Sequence, residues 1–107
     1  MTISDWLDSR TPVPPELLAA RVRELLGETL RRPAAEAHGC CLEAVDALLI
    51  SLRDDPEAGR ERALDLLAAD ALVTYAFEAA AESPHELASV AAVAMRRVGS
   101  VVAEQGA

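Results

Sequence analysis

Apolar residues recur along this chain at helical spacing, and nothing in it alternates in the manner of a strand. Leu18, Val22, Leu25, Leu26 and Thr29 mark one stripe between Pro15 and Arg31. A second, Cys41, Val45, Leu48, Leu49 and Leu52, runs between Pro33 and Arg53, with Glu36, Glu43 and Asp46 on other sides. The third segment, from Pro56 to Glu82, is apolar on nearly every side. Beyond its first turns its polar residues are Asp70, Thr74, Glu78 and Glu82, one every four positions, a single narrow line along the cylinder. The fourth stripe is Leu87, Val90, Ala91, Ala94, Val98 and Val101.

Proline and the caps set the boundaries. Pro15, Pro33, Pro56 and Pro84 all suit the first turn of a helix, where a missing N–H costs nothing. Asp55 before Pro56 and Glu57 reads as an N-cap, and Ser83-Pro84-His85-Glu86 as a capping box. Arg31 and Arg32 stand where positive charge complements a helix C-terminus. The pattern therefore predicts helices over 15–31, 33–53, 56–82 and 84–103 after a lead-in, residues 1–14. Within the lead-in, Ser4-Asp5-Trp6-Leu7 forms a capped turn, with Trp6 and Leu7 as an anchor. Four helices with short connections predict one all-α domain, an up-down-up-down antiparallel four-helix bundle.

Composition agrees with this picture. The chain has 107 residues, 51% of them hydrophobic, with a single Trp, Tyr and Phe. Its core must be built from Ala, Leu and Val, and Ala and Leu are good helix formers. Net charge is −8 and every basic residue is arginine; from Ala63 to Met95 there is no arginine or lysine. Such a surface repels phosphate backbones and anionic lipid, which argues against nucleic acid or a membrane as partner. The first residues lack the basic start and apolar run of a signal peptide, and no uncharged apolar run reaches the roughly 18 residues that span a bilayer. A soluble, cytoplasmic protein is the expectation.

Candidate chemistry is sparse. Asp54-Asp55 carries two carboxylates that suit a hydrated divalent cation, but the Asp-Pro-Glu order that follows is fully explained by capping. Glu82-Ser83-Pro84-His85 has the E-x-x-H spacing of di-iron bundles, yet the helix breaks inside it and the chain has no second copy. His38 and Cys41 share a helix face and are the candidate metal ligands, for Zn²⁺ or Cu⁺, while Cys40 points about 100° away. Packing explains these residues more simply, since free cysteine behaves as a small buried hydrophobe and Gly39 lets a neighbour approach. No nucleophile-and-base pair and no glycine-rich phosphate loop is present, so neither catalysis nor a cofactor is expected.

Ala69-Asp70-Ala71-Leu72 followed by Ala76-Phe77-Glu78 resembles one helix of the isoprenyl diphosphate synthases. That resemblance implies an all-α fold and a prenyl diphosphate ligand held by two aspartate-rich motifs. In this chain Asp54-Asp55-Pro56-Glu57-Ala58 lacks the last aspartate of the first motif, and the second is absent. The resemblance thus implies helix packing without catalysis.

Two roles remain. The girth of the third helix exceeds what three neighbours need to cover, which predicts self-association as a homodimer or binding of a protein partner. Alternatively its alanine-lined wall leaves room for a lipophilic small molecule, in a carrier or an inactive prenyl-synthase-like accessory protein. Leu66, Val73, Tyr75, Phe77 and Ala80 are the interface or ligand-facing candidates.

Overall fold

The lead-in begins with a reciprocal cap. The Thr2 hydroxyl accepts from the Asp5 N–H at 3.2 Å, and the Asp5 carboxylate accepts from the Thr2 N–H at 3.1 Å. Those bonds from Thr2 hold the Asp5 carboxyl below its ordinary range. They start α1, Ile3–Asp8, a longer helix than the expected turn, with Thr2 rather than Ser4 at its cap. Ile3 and Trp6 point inward and are buried. The computed structural model describes residues 1–54, 59–82 and 91–100, and all of its regular elements are helices. They are α1, α2 (Glu16–Leu26), α3 (Ala37–Asp54), α4 (Gly59–Ala81) and α5 (residues 91–100), with short 3₁₀ turns at Gly27–Arg31 and Ala34–Glu36.

The region between α2 and α3 departs from the expected boundaries. Apolar spacing carries the first helix to Arg31, but α2 stops at Leu26 because Gly27 adopts φ +53°, which L side chains rarely take. The chain tightens into the 3₁₀ turn, where the Thr29 hydroxyl donates to the Leu26 carbonyl at 2.6 Å. Pro33 is extended, a second 3₁₀ turn follows, and α3 starts only at Ala37. This irregular stretch is what receives the lead-in. The Ile3 N–H donates to the Arg32 carbonyl at 2.9 Å and the Ala34 N–H to the Met1 carbonyl at 3.0 Å.

The core is a layer of small and branched side chains between α2, α3 and α4, closed at one end by α1. Helix α4 supplies it with Ala68, Leu72, Ala76 and Ala80, four completely buried residues spaced every fourth position. Asp70, Thr74, Glu78 and Glu82 are offset from that line by two residues, about 200° around the helix. Three of them are exposed, and Glu78 is half-buried. Polar ties fix the packing. Arg21 of α2 grips Asp65 of α4 with two donors, at 2.7 and 3.3 Å, and this pairing raises the Arg21 pKa. Arg62 of α4 donates to the Leu52 carbonyl at 2.9 Å, satisfying an acceptor in the last turn of α3. Arg97 of α5 donates to the Leu42 carbonyl in the first half of α3, also at 2.9 Å. Among the described residues no helix is long and apolar enough to cross a membrane.

Candidate functional site

Where α1 ends, the chain must turn through Thr11-Pro12-Val13-Pro14-Pro15 before α2 can begin. Prolines carry no N–H and hold extended backbone, so this segment arches away from the core instead of packing on it. Between the arch, the middle of α2 and Tyr75 of α4 lies an open cleft of about 350 Å³. Leu7, Val13, Pro14, Ala19 and Val22 form its apolar walls. Asp8, Arg10, Arg23 and the Tyr75 ring supply the polar part.

The charged groups here are unequally satisfied. Arg23 donates to the Asp8 carboxylate and, at 3.0 Å, to the Ser4 hydroxyl, so its charge is already matched. Arg10 sits over the Trp6 ring, its guanidinium carbon 4.5 Å from the centroid, a cation–π contact. Among the described residues its hydrogen bond is a long one, 3.4 Å to the Ser9 hydroxyl, and its buried Nε finds no acceptor. Trp6 is itself fixed from two further sides. Its indole N–H donates to Glu82 at 2.9 Å, and its ring meets Tyr75 edge-on, with centroids 6.0 Å apart. Burial pushes the Tyr75 hydroxyl above its ordinary pKa, Glu78 and Cys41 add to the rise, and Arg23 and Arg10 oppose it. One oxygen of the Glu78 carboxylate is likewise buried without a partner.

Of the five residues nominated from sequence, Tyr75 alone lines this cleft. Val73 and Phe77 are half-buried against the core, and Ala80 is completely buried within it, so Ala80 touches neither solvent nor a second chain. Leu66 stays open, 49% exposed, beside Leu67 at 57%. Sequence reasoning missed Arg10 and Arg23. The available signal was a pair of arginines flanking a proline-rich arch that follows the single tryptophan.

The proposed metal pair is divided by its surroundings. Cys41 is completely buried in the core, whereas His38 lines a shallow depression together with Cys40, Arg32 and Glu43. The Arg32 guanidinium donates to the Cys40 sulfur at 3.8 Å. Among the described residues no three His, Cys, Asp or Glu side chains come together as a metal-ligand group. Asp54 accepts from its neighbour Arg53 at 3.3 Å, and Glu82 is occupied by Trp6. Asp55, Pro56, Glu57 and His85 lie outside the described residues, and with them the expected cap of the third helix and the E-x-x-H pair. Comparison with known proteins adds nothing to this geometry, since no family model, no curated protein and no solved structure matches the chain.

Cys41 carries a measurable consequence. Desolvation, and secondarily Cys40, pushes its thiol up to about 12 from an ordinary 9.0. The unfolded chain therefore releases this proton first. The stabilisation is complete below pH 9, and it is lost as pH rises from there towards 12. The expected slope is at most ~1.4 kcal/mol per pH unit in that window. Urea unfolding of the parent and of Cys41→Ala at about pH 8 and pH 10.5 measures it. The parent should lose more stability across that interval than the variant, and parallel losses would contradict the assignment.

Proposed function

We propose that this chain works without catalysis by protein association, laying the exposed leucines of α4 against a helix of a second copy. The single observation behind this reading is Leu66 and Leu67, adjacent and about half exposed, on the same side of α4 as Ala63, Asp70 and Thr74. Two large apolar side chains on the exposed side of one helix favour an isologous contact, in which each copy covers the other's leucines. The frame for it is an up-down-up-down antiparallel bundle. The Arg62 bond to Leu52 and the electrostatic contact between Tyr75 and Cys41 support its α3–α4 pairing.

Charge opposes such a contact. Each copy carries −8, and Asp70 lies on the same stripe. Self-association should therefore strengthen with salt, which screens the repulsion. Size-exclusion chromatography with light scattering at low and high ionic strength reads this directly. The expected result is a dimer whose share rises with salt, and a monomer for Leu66→Glu/Leu67→Glu. A parent chain that stays monomeric at micromolar concentration in both salts removes the homodimer.

A second reading, a carrier of a lipophilic small molecule, is favoured by the cleft beside Tyr75. Its charged rim and modest volume suit a short ligand with a polar head better than a long prenyl chain. An inactive prenyl-synthase-like accessory protein is therefore the less favoured form of this reading.

A further inference from the structure

We infer that the cleft between the proline arch, α2 and Tyr75 is a binding site for a small organic carboxylate with an apolar body, whose head pairs with the Arg10 guanidinium. This inference rests on the ligand-carrying reading above and specifies the ligand class.

The volume, about 350 Å³, falls in the range of small-molecule sites, and the walls are apolar on three sides. Val13 forms a lip that is 78% exposed, so a bound hydrocarbon chain would remove apolar surface that the protein leaves in water. Around the cleft stand two guanidiniums and one carboxylate, a local excess of positive charge in a strongly acidic chain. Asp8 is committed to Arg23. Arg10 is therefore the cation with charge and donors to offer. Among the described residues it makes no ion pair and its buried Nε finds no acceptor, an arrangement that costs free energy until an acceptor arrives. The cation–π contact with Trp6 holds the guanidinium at the cleft in advance, so less side-chain freedom is lost when a carboxylate pairs with it. Glu78, within electrostatic reach of Tyr75, sets a limit. Its negative charge favours a ligand with one acidic group over a dianion such as a phosphate.

Three probes of equal chain length separate the possibilities: octanoate, octanol and octylamine, each titrated into the full chain. The emission of Trp6, the only tryptophan, and backbone amide shifts provide the readout. Octanoate should give saturable shifts confined to residues 7–14, 19–23 and the turn around Tyr75, with octanol and octylamine at least about tenfold weaker. Arg10→Gln should weaken octanoate on the order of tenfold, the worth of one charge-assisted bond. Ala19→Phe, which fills the cleft from its wall and leaves Trp6 as the only tryptophan, should abolish the shifts while helical circular dichroism is retained. Equal binding of octanoate and octanol, or an Arg10→Gln chain that holds octanoate as tightly as its parent, overturns the carboxylate assignment and leaves the carrier reading standing. Absence of saturable shifts with all three probes overturns both.

Discussion

Trp6→Ala is expected to destabilise the protein by about 3–5 kcal/mol, the range for emptying a buried aromatic site. A domain of this size is held by roughly 5–15 kcal/mol in all, so the variant should sit near the edge of folding. Trp6 is 2% exposed and is the largest buried side chain that the lead-in contributes to the bundle. Its ring rests edge-on against Tyr75, carries Arg10 on its face, and sends its N–H to Glu82 at the far end of α4. Trp6→Phe should cost much less, because most of the apolar ring survives. Glu82 is exposed, so water replaces its lost donor. Glu82→Gln retains an acceptor and should be close to neutral. Urea unfolding monitored by circular dichroism orders the three. A loss below about 1 kcal/mol for Trp6→Ala would mean that α1 is an appendage and the cleft it helps to frame is not a fixed feature.

That network also marks the boundary of what was readable from the chain. The all-helical class was legible because apolar residues recur at 3.6 spacing between prolines, and the prolines constrain the backbone themselves. Trp6 was recognisable as an anchor, being the one tryptophan in an otherwise punctuated lead-in. Its partner was not. Glu82 belongs to the line of polar residues opposite the buried face of α4, and nothing local distinguishes a solvated glutamate from one that receives an indole 76 residues away. Gly27 was hidden for a related reason: the spacing of Leu25, Leu26 and Thr29 continues across it, while the φ of +53° that ends α2 is a backbone property. The cleft is the extreme case. Its walls come from Leu7 to Pro14, from Ala19 to Arg23 and from Tyr75, three segments with no shared period. Tyr75 was nominated because it lies on an apolar helix. Nothing in the chain immediately around Arg10 or Arg23 sets it apart from ordinary surface charge; packing alone places one over an indole and the other against Asp8.

The alanine-rich face of α4 leads to the second large effect. Leu72 is the one bulky side chain on the buried line Ala68, Leu72, Ala76 and Ala80, so Leu72→Ala should cost about 3 kcal/mol from lost burial and an unfilled cavity. Ala76→Leu should cost about 1–3 kcal/mol for the opposite reason, since a completely buried methyl leaves no room and the neighbouring helices must move apart. The two changes are not independent. Helical side chains lean toward the N-terminus, so a leucine at 76 projects over the turn that holds residue 72. In Leu72→Ala/Ala76→Leu the new side chain enters the cavity left by the old one, and the double variant should be more stable than the sum of the single losses by about 1 kcal/mol. Strict additivity in that cycle would show that positions 72 and 76 press on separate neighbours. A positive coupling would show that α4 meets the rest of the bundle along one continuous groove, in which the order of large and small residues is adjustable while their total volume is not.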